Sequence, residues 1–228
     1  MKKTYSTILF DVDGTLLDFD AAERDGLSQV LLSQGLQMTE RMSACYHRIN
    51  DGYWKAYERG EITKDQIMGN RFTDFFKTLN MTVDGDALEQ KFRNELNNSA
   101  VLLEGAIEIC RYLKEKYRMY VVTNGVSVTQ YKRLAASGLD QYFDDIFVSE
   151  DAGSQKPQKE YFEYCFSRIP DAGPEDMLII GDTLSSDIKG GNVAGIDTCW
   201  YNPGKFGRKA GIRVDYEIRR LEELKGFL

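Results

Sequence analysis

Five short segments of the chain are apolar at nearly every position: Ser6–Phe10, Met119–Thr123, Asp145–Ser149, Met177–Gly181 and Thr198–Tyr201. Segments this short, rich in β-branched, aromatic and Leu residues, have no face to give to water. They suit parallel strands covered on both sides. Between the later ones lie stretches of helix length. Glu104–Lys116 carries Ile107, Cys110 and Leu113 at helical spacing, Ser127–Ser137 and Lys159–Arg168 are similar, and Asp187–Ala194 is shorter. Alternation of this kind predicts an α/β fold built on a doubly wound parallel sheet.

The interval 18–95 breaks the alternation. It holds no convincing strand, only helix signals: Leu27, Val30 and Leu31 at i, i+3, i+4, Thr63 with Gln66 as a capping box ahead of Ile67 and Phe72, and Asp84 with Asp86 opening a further helix through Leu88 and Phe92. The expected organisation is a core of residues 1–17 and 96–228 with a helical insertion at 18–95. With 228 residues, 42% of them hydrophobic, the chain can bury a core without disulfides or structural metals.

Each strand-ending segment that follows carries polar residues of a particular kind. The first strand runs into Asp11-Val12-Asp13-Gly14-Thr15. Side chains i and i+2 on a strand point the same way, so Asp11 and Asp13 are expected to share one cavity at its C-terminal edge. That edge is where open parallel sheets bind ligands. Two carboxylates so close repel, which implies a cation or a raised pKa on one of them. Thr123-Asn124-Gly125 ends the second strand with a hydroxyl and turn amides suited to an anion. Lys156-Pro157 follows the third strand after a loop. Asp182 and Asp187, in Gly181-Asp182-x-x-x-x-Asp187, end the fourth. Singly, these read as a capped strand end, a solvated lysine and a helix-opening turn.

In this order and at these places, D-x-D-G-T, T-N-G, K-P and G-D-x-x-x-x-D resemble the haloacid dehalogenase-like superfamily, over nearly the whole chain. The resemblance implies a Rossmann-like, three-layer α/β/α core with the helical insertion as a C1-type cap. It implies a magnesium-dependent phosphatase in which Asp11 is the nucleophile and Asp13 the general acid/base. Thr123, with Asn124 and Gly125 of the same turn, and Lys156 hold the phosphate. Magnesium is held by Asp11, the Asp13 carbonyl and Asp182, with Asp187 as a further metal partner, supporting those ligands or reaching the ion through water. Dehalogenases of the superfamily lack an acid at the position of Asp13, which favours phosphate chemistry. Gly181–Pro203 and the segment Trp54–Ile62 are similar to the house-cleaning pyrimidine 5′-nucleotidase branch. Nucleoside monophosphates are therefore the first substrates expected. Sugar phosphates or phosphoglycolate are the alternative, ahead of a phosphomutase, a dehalogenase or a non-catalytic phosphate sensor.

Within the insertion, Trp54 and Tyr57 read as inter-helix core, with a nucleobase-stacking face as the alternative. Arg71 reads as a helix-surface arginine, with reach into the site as the alternative, and His47, the single histidine, as a surface or packing residue. The net charge of −7 disfavours nucleic acid or an anionic membrane as partner. No apolar run approaches bilayer length and no signal-peptide pattern opens the chain, so a cytoplasmic enzyme with a small phosphate ester as its partner is expected, with no protein partner predicted. Cys45, Cys110, Cys165 and Cys199 are far apart and read as reduced thiols. Lys205, Arg208, Lys209 and Arg213 read as a solvated basic loop.

Overall fold

Strand β1 (Thr7–Phe10) is buried at every position and lies inside a six-stranded sheet. The fold is seen in a computed structural model that describes residues 4–171 and 173–228. The remaining strands are β2 (Arg118–Thr123), β3 (Asp145–Val148), β4 (Met177–Gly181), β5 (Asp197–Tyr201) and β6 (Tyr216–Ile218), in the order β3-β2-β1-β4-β5-β6. Every pairing is parallel, with Phe10 flanked by Val121 of β2 and Ile180 of β4.

Side chains alternate between the two faces of the sheet, and each face has its own core. Ile8, Phe10, Met119, Val121, Leu178 and Ile180 pack with Ile109, Cys110 and Leu113 of α5 (Ala106–Lys114) and Leu134 of α6 (Ser127–Ser137). Leu9, Tyr120, Val122, Met177 and Ile179 pack with Tyr161, Phe162 and Cys165 of α8 (Lys159–Phe166), beyond the single turn α7 (Ser149–Ala152). This is the double-sided burial that the uninterrupted apolar strands required. The short α9 (Lys189–Ala194) precedes β5.

Strand β6 was not expected. Three residues after a polar loop carry no periodic signal, and its place comes from pairing with β5. The basic loop before it is exposed, with Arg208 bonded to Glu217 and Arg213 to Asp215.

The chain divides into two compact units, one of residues up to Phe19 together with Ala100–Leu228, the other Asp20–Ser99. The second holds α1 (Phe19–Ser33) beyond its first residue, with α2 (Glu40–Glu58), α3 (Lys64–Thr78) and α4 (Gly85–Asn98). Thr63 and Gln66 make the capping box of α3, and the Asp84 side chain caps α4. Its interior is aromatic: Tyr46 stacks on Phe72 at 5.1 Å, and Phe92 meets Phe72 edge-on at 5.3 Å.

Arg71 corrects the sequence expectation. It is buried, not on the helix surface, because α3 packs against both α2 and α4. Its guanidinium binds both Glu89 oxygens, at 2.7 and 2.8 Å, and Asn50 Oδ1 at 2.9 Å. Asn50 passes the link to Glu23 at 2.6 Å, and Glu23 Oε1 lies 2.9 Å from His47 Nδ1. Tyr57 is buried and meets Trp54 edge-on at 5.9 Å. All four cysteines are free thiols, three of them buried. Among the described residues, no helix is long and apolar enough to cross a membrane.

Candidate active site

The order of the strands reverses between β1 and β4, and a parallel sheet opens a crevice at such a point. Asp11 enters it directly. Its N–H donates to Ile180 O at 2.9 Å, which holds the residue between the ends of β1 and β4. Beyond it the chain curls sharply, as the Val12 carbonyl accepts from the N–H groups of Thr15, Leu16 and Leu17. Gly14 makes this curl possible. Its φ is +81°, and a Cβ there would stand 2.5 Å from Asp182 Oδ2.

Lys156 is only 1% exposed, far from the solvated lysine that it would be in isolation. Its Nζ donates to Asp11 Oδ1 at 2.6 Å, Asp187 Oδ1 at 2.7 Å and Val122 O at 2.8 Å. The loop that carries it is fixed by Asn124, whose Oδ1 accepts from Lys156 N and whose Nδ2 donates to Lys156 O, both at 2.9 Å. The Asn124 side chain thus positions the lysine, and what remains for an anion there is main chain. Gly125 N donates to Thr123 Oγ1 at 3.0 Å. Asp187 accepts a second bond from Thr183 N at 3.0 Å, while the Asp182 carboxylate accepts from Thr183 Oγ1 at 3.2 Å. Trp200 of β5 ties the main chain down by donating to Asp182 O at 2.7 Å.

Asp13 stands near enough to Asp11 for its charge to act on the Asp11 carboxyl. Strand β1 stops at Phe10 and the chain curls beyond Asp11, so position 13 lies in the turn and takes its partners from α6. Asp11 turns to Lys156, but the Asp13 carboxylate turns to α6, where Gln130 Nε2 donates to Oδ2 at 2.5 Å and Arg133 donates to Oδ1. Sequence reasoning missed Gln130 and Arg133. Their signal was present but unreadable: α6 buries Gln130 and Arg133 while exposing Val128 and Tyr131, the reverse of the usual amphipathic face.

The sequence model for haloacid dehalogenase-like hydrolases matches residues 5–195. The chain belongs to that family. Among the relatives of this haloacid dehalogenase-like hydrolase is the HAD-hydrolase YfnB of Bacillus subtilis, 50% identical over 97% of this chain and 94% of that one. A crystal structure of YfnB bound to magnesium, in which interdomain movement is described, superposes with a TM-score of 0.94 and covers 98% of both chains. The pyrimidine 5′-nucleotidase PynA of Streptococcus pneumoniae is 38% identical over 96% of this chain and 93% of its own length. The pyrimidine 5′-nucleotidase YjjG of Escherichia coli is 33% identical over 97% and 96%.

In this haloacid dehalogenase-like hydrolase, three carboxylates converge. Asp11, Asp182 and Asp187 each offer an oxygen, all within 4.8 Å of one another. Burial pushes the Asp11 carboxyl up to about 7, against the pull of Lys156. Burial, then the charges of Asp11 and Asp187, push Asp182 well above the carboxylate range. Lys156 is driven the other way by burial, but Asp11 and Asp187 outweigh this and hold its ammonium above the ordinary lysine range. Among the described residues, Lys156 is the one cation bonded within this cluster of acids, and the donors are all hard oxygens. That set fits a magnesium ion and is a poor match for a soft metal.

Proposed function

We propose that this hydrolase is a magnesium-dependent phosphatase that works through a phosphoaspartate on Asp11, with pyrimidine nucleoside 5′-monophosphates as its preferred substrates. The observation that carries the reading is the convergence of Asp11, Asp182 and Asp187 at the switch point of the sheet, with the buried Lys156 bonded to Asp11 and Asp187. The substrate class is supported by the two pyrimidine 5′-nucleotidases among the relatives. We likewise assign the inserted helices as a C1-type cap.

Phosphate monoesters are among the least reactive of biological substrates, so the barrier must be divided. Asp11 attacks phosphorus; its oxygen forms the new P–O bond as the bond to the ester oxygen breaks. Asp13 gives the departing alkoxide its proton. In the second half, Asp13 takes a proton from water as that water attacks the phosphoaspartate, releasing inorganic phosphate and restoring Asp11. Lys156, held 2.6 Å from Asp11, offsets negative charge where the phosphoryl group arrives, beside the Thr123 hydroxyl and the turn that follows it. Magnesium would be held by Asp11, Asp182 and the Asp13 carbonyl, with Asp187 behind them. When bound, it supplies the positive charge that lets a carboxylate approach a phosphate dianion. An acid at position 13 has no use in halide release, which needs no proton, and so favours phosphate chemistry.

The test is phosphate release from a panel of 5′-nucleotides and sugar phosphates with and without magnesium. Pyrimidine nucleotides are expected to lead, chelation to stop release, and Asp11→Asn to abolish it. Sugar phosphates turned over well beside idle nucleotides would overturn the substrate class, and full activity in Asp11→Asn would overturn the nucleophile.

A further inference from the structure

The Asp13 carboxylate is held at both oxygens by side chains from one face of α6, and neither donor belongs to the sequence motifs. Gln130 and Arg133 sit three residues apart, so a helix places them on the same side. They are 1% and 0% exposed. Burying a guanidinium is costly unless it is paired, and Arg133 is paired with Asp13 while its Cζ lies 5.8 Å from the centre of the Phe19 ring. Gln130 is less easily explained as ordinary packing. Its Nε2 reaches Asp13 Oδ2, yet its Oε1 is buried with no hydrogen-bond partner among the described residues. Buried amides normally have both ends satisfied, so the Gln130 side chain is placed for the carboxylate at the expense of its own carbonyl.

Gly125 belongs to the same arrangement. A Cβ there would stand 1.9 Å from Gln130 Nε2 and 2.7 Å from its Cδ. No side chain fits without displacing Gln130. The glycine of T-N-G therefore clears the path by which Gln130 reaches Asp13.

We propose that Arg133 and Gln130 are positioning residues that set the stance of the Asp13 carboxylate for its work as a base on the attacking water, and that Gly125 makes room for them. The inference rests on the reading of Asp13 as the proton-handling group. Both donors bind a carboxylate through N–H groups, which suits the form of Asp13 that has already surrendered its proton to the leaving alkoxide. In that form it must accept a proton from water at a fixed place. Releasing Asp13 from α6 then slows breakdown of the phosphoaspartate more than its formation, wherever the leaving group needs no proton.

p-Nitrophenyl phosphate supplies such a leaving group, and the test is its pre-steady-state hydrolysis with magnesium. Arg133→Met is expected to show a burst of about one nitrophenolate per enzyme and then turnover slowed on the order of 100-fold, the range that loss of one proton-transfer group spans. KM should fall together with kcat, so that kcat/KM, which reports formation of the phosphoaspartate, moves little. Gln130→Leu and Gly125→Ala are expected to give the same pattern, about tenfold each, as misplacement of a reacting group does. Arg133→Lys, which keeps the charge, should recover part of the rate. The decisive comparison is with Asp13→Asn, where adding Arg133→Met should cost nothing further.

If Arg133→Met lowers the Asp13→Asn rate by the same factor as it lowers the parent rate, the arginine acts structurally and the inference is overturned. It is also overturned if Gln130→Leu and Gly125→Ala, which leave the buried guanidinium in place, keep full steady-state turnover. Unchanged turnover in Asp13→Asn itself would instead sink the underlying assignment of Asp13, which keeps the two failures apart.

Discussion

Among the described residues, Lys156 is the one cation bonded to both Asp11 and Asp187, and all three are buried. Removing one member of such a group leaves buried charge without its counter-charge. Lys156→Met is therefore expected to destabilise the protein by about 3 kcal/mol or more in denaturant unfolding. Saturating magnesium should restore part of that, because a cation again stands among the acids. Unchanged stability would mean that the three carboxylates are protonated or solvated in the folded chain. The same residue shows how far sequence reasoning reaches. K-P after a third strand marks where the lysine falls, but its three acceptors and the Asn124 clamp belong to residues far away along the chain.

Among the elements, α2 shows the limit of pattern reading. Its buried residues are Tyr46, Asn50 and Tyr57, too few and too polar for an amphipathic stripe. The capping box of α3 was readable because it is local, made by residues three apart. The packing of α3 between two helices was not, and that packing is what buries Arg71. The polar chain from Arg71 through Asn50 and Glu23 ends at the surface on His47. The bond to Glu23 raises the His47 pKa above 6.5, against a smaller opposing effect of burial. A raised pKa in the folded state means stability that is fully present below about 6.5 and fades as pH rises through the folded value. Urea unfolding of the parent should show a small loss of stability across that window, small because His47 is largely exposed. His47→Gln should flatten it. An equal slope in both proteins would show that another group carries the dependence.

At the scale of the whole molecule, the sheet order puts the ends of β1 and β4 side by side, and Asp11 and Asp182 follow those ends. A ligand bound only by the folded chain adds to its stability by mass action, about 2.7 kcal/mol at one hundred times Kd. Magnesium is thus expected to raise the Tm of the parent in a concentration-dependent way. Asp182→Asn should shrink or remove the rise, because Asp182 supplies a donor to the cluster. A full rise in that variant would place the ion elsewhere.

By itself the sequence determined the elements whose signals are local: apolar strands covered on both faces, the helical interval, and four motifs at successive strand ends. Periodicity and capping act over a few residues, so they survive without any knowledge of neighbours. Tertiary structure alone decided where the carboxylates point. Asp11 and Asp13 are two residues apart, yet one answers to Lys156 and the other to Gln130 and Arg133, more than a hundred positions away. A side chain beyond the end of a strand has no pleat to direct it, so the partners that the fold brings to it settle its direction.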